Sequence, residues 1–209
     1  MKYKVVIWDW NGTLADDLLA SFRATNSILA RRNMPPITLT QYYSYMDTPI
    51  SKFYAHLFDL NVVPMSLLGE EFYEFYPRYF EGLHDGAEEL LKELKASGIR
   101  QVILTSANTH VVEGDLRKYG IRDYFDEVLG ADDLLAAGKV ERGMNWIKNQ
   151  AVSPEKMVLL GDTLHDFDVA KTMGVHCILG AIGHQAKEDL LTAGVPVVDA
   201  FRDFRNWLL

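Results

Sequence analysis

The chain has 209 residues, 48% of them hydrophobic and 24% charged, and a formal net charge of −8. That composition belongs to a globular protein able to bury a sizeable core. It argues against a nucleic-acid binder, which needs a basic face to displace counterions, and no apolar run approaches the ~20 residues of a membrane span.

The N-terminus enters a strand-like segment directly, without the basic region, apolar stretch and cleavage site of a secretory signal, so a cytoplasmic setting is expected. The first predicted strand, "VVIW", ends on Asp9 in the stretch "DWNGTLADD". Unbroken hydrophobicity of this kind suits a strand covered on both faces, as in a parallel sheet.

Residues 15–82 read differently. They hold no convincing strand and are heavy in aromatics ("QYYSYM", "KFYAHLF", "EEFYEFYPRYF"). Thr48 before Pro49 predicts a helix N-cap with proline in the first turn, and Pro64 precedes a further helical stretch. About four helices are expected here, forming a cap domain of residues 15–82 inserted into a core of residues 1–14 and 83–209.

Beyond the insert, strand and helix alternate. "GAEELLKELKASG" carries leucines 90, 91 and 94 with early acids, late lysines and Gly98 as a stop, then feeds the run "VIL", which is followed by Thr105 and Ser106. A helix is predicted from the cap Asn108 to Gly120. Lys139 follows the helix-like "DDLLAAG". The last run, "MVLLG", is followed by Asp162, and "DFDVAKTMG" reads as a helix stopping at Gly174. The expected fold is α/β, a doubly wound parallel sheet whose ligands collect at the strand carboxyl ends. The sole cysteine, Cys177 in "GVHCILG", can form no intrachain disulfide and reads as a small buried hydrophobe.

Asp9, Thr105 and Asp162 would then meet, with Asp166 in "GDTLHD" close behind. Carboxylates brought together repel one another unless a cation sits among them, and oxygen ligands of this sort suit Mg²⁺. The histidines lack the spacing of a zinc site. Neither G-x-G-x-x-G nor the P-loop pattern occurs.

These residues carry a resemblance. "DWNGT", Thr105 after an apolar strand, Lys139 in "AAGKVERG" and "GDTLHD" fall in the order of the four motifs of the haloacid dehalogenase superfamily. The chain is most similar to the phosphoglycolate-phosphatase-like and β-phosphoglucomutase-like branch, with its helical cap between the first two motifs, and "GAIGHQ" resembles its downstream text. The resemblance implies an Mg²⁺-dependent phosphatase acting on a small phosphorylated metabolite, as monomer or homodimer, with neither nucleic acid nor membrane as partner. Asp9 would be the nucleophile, and Asp9, the backbone carbonyl of Asn11, Asp162 and Asp166 would serve the metal. Thr105 and Lys139 would stabilise the phosphoryl group, with Trp10, Thr13 and Ser106 shaping its pocket.

One departure stands out. Where most family phosphatases have an aspartate that exchanges a proton with the leaving oxygen, this chain has Asn11, and an amide cannot do so near neutral pH. Three readings follow, a phosphatase for substrates with good leaving groups such as acyl or aryl phosphates, a phosphatase in which another group such as His165 or a cap residue carries the proton, and a phospholigand-binding protein of little or no turnover. Spacing alone does not choose the specificity residues among Arg23, Arg31, Arg32, Tyr42, Tyr43 and Tyr45, and His165 reads as a loop residue.

Overall fold

The computed structural model describes residues 2–132 and 138–209. Residues 133–137, most of the helix-like stretch before Lys139, lie outside the described residues. The strands are β1 (Val5–Trp8), β2 (Arg100–Asn108), β3 (Glu127–Ala131), β4 (Met157–Gly161), β5 (His176–Gly180) and β6 (Val197–Val198). They form one sheet of order β3-β2-β1-β4-β5-β6, with every pairing parallel.

The three apolar runs that announce themselves in the sequence are the central strands. Side chains alternate across the sheet, so Val6, Trp8, Ile103, Val158 and Leu160 enter one core layer while Val5, Ile7, Val102, Leu104 and Leu159 enter the other. β3, β5 and β6 are additions that the apolar pattern did not reveal. β3 lies at the sheet's edge with three of its five residues only partly buried, and β6 has two residues.

Residues 18–75 carry the helices α1 (Leu18–Arg31), α2 (Leu39–Tyr45), α3 (Ile50–Ala55) and α4 (Met65–Phe75). Their apolar faces meet in a third cluster that includes Ile28, Leu29, Tyr42, Phe53, Tyr54 and Leu68. α2 opens on a capping box, Thr38 with Gln41. Thr48 does not cap α3. Pro49 takes the N-cap position, and no side chain caps that helix. The chain leaves the first strand and returns to the sheet side by side, with Ala15 bridging antiparallel to Leu83 and Asp16 N–H donating to Gly82 O at 3.0 Å.

After the return come α5 (Ala87–Ala96), α6 (Thr109–Lys118), α7 (Lys139–Ile147) and α8 (Leu164–Met173). Leu90, Leu91 and Leu94 of α5 and Val112 and Leu116 of α6 cover one face of the sheet. Trp146 of α7 and Val169, Ala170 and Met173 of α8 cover the other. The expected N-cap of α6 is in place, since the Asn108 side chain accepts from His110 N and Val111 N. The core is thus two layers of helix, one on each face of a parallel sheet. Cys177 is buried in β5, and burial pushes its thiol well above the usual range, which leaves it unreactive.

Leu159 is fully buried in the middle of β4. Leu159→Ala is expected to lower unfolding stability by ~2–5 kcal/mol, the usual range for a core leucine truncation, as measured by urea denaturation.

Candidate active site

β1 and β4 run in parallel register, Trp8 opposite Leu160, and Asp9 N–H extends the ladder by donating to Leu160 O at 2.9 Å. That register carries Asp9 to the strand ends beside Asp162. One carboxylate oxygen each from Asp9, Asp162 and Asp166 lie within 4.8 Å of one another, and all three residues are buried. Lys139, the first residue of α7 and only 4% exposed, donates to Asp9 Oδ1 and to Asp166 Oδ1, both at 2.5 Å.

Each acid is held differently. Asp166 Oδ2 accepts from Thr163 Oγ1 at 2.6 Å, Thr163 N at 3.0 Å and Asp162 N at 3.2 Å, a capping box that turns β4 into α8. Asp162 Oδ1 accepts from Thr13 Oγ1 at 3.1 Å, and its Oδ2 from His184 N at 2.6 Å. Asp9 accepts only the Lys139 hydrogen bond, on Oδ1, among the described residues.

Glycine makes this closeness possible. A Cβ on Gly12, whose φ is +71°, would stand 2.2 Å from Asp162 Oδ2, and one on Gly183 would stand 2.1 Å from the same oxygen.

The electrostatics leave a shortage of positive charge. Burial, helped by the Asp166 and Asp162 charges and opposed by Lys139, raises Asp9 to about 8. Burial also raises Asp162, to about 6, with Asp166 adding to the shift. Burial alone would depress Lys139, but Asp166 and Asp9 outweigh it and keep the ammonium charged. Asp166 stays below the usual range against its own burial because Lys139 faces it. One lysine among three buried carboxylates, presenting only hard oxygen donors, is a donor set that fits a small divalent cation.

The structure also places two residues that no sequence motif singled out. Asp17 precedes α1, where an aspartate reads as an N-cap, yet its side chain makes no capping bond. It turns back to the loop after β1, accepting from Asn11 Nδ2 and Gly12 N at 2.6 Å each and from Ser21 Oγ at 3.3 Å. His184 Nε2 lies 3.2 Å from the same carboxylate, and its Nδ1 lies 3.0 Å from the Tyr42 hydroxyl of α2. Burial would depress this imidazole, but Asp17 and then Asp162 raise it to about 9, so at neutral pH both ring nitrogens donate. The "GHQ" text holds His184, but nothing in its spacing points to Asp17.

Above the acids lies a cavity of about 230 Å³. Trp10, Asn11, Thr105, Ser106 and Lys139 line it together with the three acids. Thr105 Oγ1 accepts from Ala107 N at 3.1 Å, which leaves its own hydrogen to give. Thr13 differs from expectation. It is fully buried, does not line the cavity, and spends its hydroxyl on Asp162, so it braces a carboxylate where pocket contact was anticipated. His165 does line the cavity, and burial keeps it below its usual value and neutral. Of the six candidate specificity residues only Tyr42 reaches the cavity. Arg31 and Arg32 pair with Glu71 and Glu74, and Arg23 borders a separate groove.

Residues 6–179 match the family described as haloacid dehalogenase-like hydrolase. The chain is 26% identical over 189 residues to a phosphoglycolate phosphatase of Vibrio vulnificus, covering 83% of this chain and 81% of that one. Against the phosphoglycolate phosphatase of Vibrio cholerae it is 23% identical over 213 residues, 96% and 91% of the two chains. In fold it superposes on a haloacid dehalogenase-like hydrolase of Streptococcus pneumoniae with a TM-score of 0.84 at 18% identity, covering 100% and 99%. No helix among the described residues is long and apolar enough to cross a membrane.

Two outcomes follow from this geometry. Gly12→Ala forces both a left-handed backbone and a collision with Asp162, and is expected to lower stability by ~1–3 kcal/mol or more in chemical denaturation. Asp9 and Asp162 have folded values above their ordinary 3.8, so without a divalent ion their contribution is complete below about 4 and is lost as pH rises through about 6 and about 8. His184, raised from 6.5 to about 9, acts in the same direction, whereas Asp17 and Asp166, held low, lose their contribution only in acid. The melting temperature in chelator should therefore fall between about pH 4 and about pH 9, and Mg²⁺ should restore it more at the upper end.

Proposed function

The chain belongs to the haloacid dehalogenase-like hydrolase family and is a phosphoric monoester hydrolase, and from that premise we propose that it moves the phosphoryl group of a small phosphorylated metabolite first to Asp9 and then to water. Fold alone would not carry this reading. The observation that does is the state of Asp9, a buried carboxylate that lines a cavity and has one oxygen fixed by Lys139 and no protein donor on the other among the described residues.

In the first step Asp9 Oδ2 attacks phosphorus. The new Asp9 O–P bond forms as the ester P–O bond breaks, and the bonding pair departs on the leaving oxygen. Lys139 places its charge against the phosphoryl oxygens and against Asp9 Oδ1, and the Thr105 hydroxyl donates its free hydrogen to a phosphoryl oxygen. In the second step water attacks the aspartyl phosphate, inorganic phosphate leaves, and the Asp9 carboxylate returns with release of one proton. Asp9, Asp162 and the Asn11 backbone carbonyl would hold Mg²⁺, which when bound neutralises phosphoryl charge and relieves repulsion among the acids. Asp166, whose Oδ1 already faces the Lys139 ammonium, serves chiefly to position that lysine and to support the shell from behind.

Residues 15–82 act in this reading as a cap over a core of residues 1–14 and 83–209, joined where Ala15 and Leu83 lie side by side. Tyr42 of that segment reaches the core through His184, a contact that would report closure over a ligand.

Asn11 sets the limit. Its amide donates to Asp17 and carries no exchangeable proton for the leaving group, a loss worth ~10²–10⁴ in rate for esters that need one. That one observation favours the alternative reading, a phospholigand-binding protein of little turnover.

Asp9→Asn is expected to abolish turnover of aryl, acyl and sugar phosphates in Mg²⁺, a drop of at least ~10³ in kcat for an enzyme dependent on this nucleophile. Wild type as inert as Asp9→Asn would leave only the binding reading. Asn11→Asp sets a second carboxyl against Asp17, so the pair must share a proton. It should raise kcat for alkyl phosphates by ~10-fold or more, leave aryl phosphates within a few-fold, and lower the melting temperature.

A further inference from the structure

We propose that the ester this site takes is an aryl phosphate, a phosphate monoester of a phenol with no second anionic group; this rests on the phosphatase reading above and specifies its substrate class.

The walls point to a ring. Tyr42, Phe53, Tyr54, Phe72, Tyr73 and Tyr76, carried by or just after the helices of residues 18–75, face the cavity. Aromatic faces and edges of this kind attract another ring and hold it in an offset or edge-on arrangement. The Tyr76 hydroxyl is buried and has no hydrogen-bond partner. It lies close enough to Asp17 for that charge to raise it further above the ordinary tyrosine range, beyond the larger effect of burial, yet makes no hydrogen bond of ordinary geometry to it.

Charge excludes the alternative. The basic side chains lining the cavity are Lys139, already between two carboxylates, His184, already on Asp17, and His165, next to Asp166 in the chain. Residues 133–137, outside the described structure, contain no basic residue in the sequence. Asp47 and Asp115 add negative charge to the walls. A substrate carboxylate or second phosphate would thus be desolvated beside acids without a cation to receive it. The first anion, the phosphoryl group, has Lys139 and the proposed metal position; a second finds no lysine or arginine besides Lys139 among the described lining residues.

The chemistry agrees. As Asp9 forms its bond to phosphorus and the P–O(aryl) bond breaks, the electron pair leaves on a phenolate oxygen, which takes a proton from solvent after release. A phenol's pKa is roughly 10, as for tyrosine, against roughly 15.7 for water. The phenolate therefore leaves without the acid that Asn11 cannot be.

The test separates binding from turnover. Benzylphosphonate and phosphonoacetate share a phosphonate head that cannot be hydrolysed, and their affinities for the full chain in Mg²⁺ can be measured by calorimetry. Benzylphosphonate is expected to bind at least about tenfold tighter, the factor equivalent to ~1.4 kcal/mol. Phe53→Leu should shrink that advantage, and Met46→Lys, which adds a cation at a half-buried wall position, should tighten phosphonoacetate at least about threefold. Phenyl phosphate should exceed 2-phosphoglycolate in kcat/KM by at least about 100-fold. Phosphonoacetate binding equal to or tighter than benzylphosphonate overturns the proposal, as does failure of both to bind, which removes the phosphate site itself. Preferential binding of benzylphosphonate with no turnover of any ester upholds the ligand class and defeats the phosphatase reading.

Discussion

The Lys139 ammonium, 2.5 Å from Asp9 and 2.5 Å from Asp166, is the contact on which the site turns. Three carboxylates gathered in a buried pocket would protonate or drive the strand ends apart if left alone. A lysine at the start of α7 removes part of that repulsion and spends its hydrogen bonds on one oxygen of each of two acids. What it leaves unneutralised is as informative as what it neutralises. The residual negative charge fits a divalent cation, and the open oxygen of Asp9 has no competing protein donor among the described residues.

Behind this first ring stands a second arrangement that fixes it. Thr13 and the His184 backbone hold the two oxygens of Asp162, and Thr163 closes on Asp166. The imidazole of His184 spans from Asp17 to Tyr42, tying the loop after β1 to a helix of residues 18–75. Asn11 belongs to this bracing layer as much as to the chemistry, since its amide satisfies a fully buried carboxylate that would otherwise face one donor fewer. An aspartate in its place would repel Asp17. The amide at position 11 and the carboxylate at position 17 therefore form a matched pair, and the loss of a proton carrier is coupled to a gain in loop order.

The same helices that complete the bracing shape the cavity. Their aromatic side chains are both packing and lining: Phe53 meets Tyr42 and Tyr54 edge-on within the third hydrophobic cluster, and all three line the cavity that Asp9 also lines. Arg31 and Arg32 of this segment pair with Glu71 and Glu74, and Arg23 borders a separate groove, so none of the three lines the cavity.

The sequence by itself determined the central sheet and the acids that gather at its strand ends. Unbroken apolar runs at 5–8, 102–104 and 157–160, each followed by a polar residue, specify doubly covered strands and a row of polar strand ends, because both signals are local in the chain. Helix limits at Asn108 and Gly174 were equally legible, being capping chemistry. Thr48 misled for a related reason, since a residue type marks a possible cap but not the turn that the proline after it imposes. Only the tertiary structure decided the rest. The edge strand β3 and the two-residue β6 gain their hydrogen bonds from neighbours rather than from their own pattern. Thr13 serves Asp162 across 149 positions of chain and His184 serves Asp17 across 167, pairings that no spacing rule encodes. Whether an arginine or a tyrosine faces the ligand depended on which side of a helix bundle met the sheet, and that is settled by packing between segments whose sequences, taken separately, are indifferent to it.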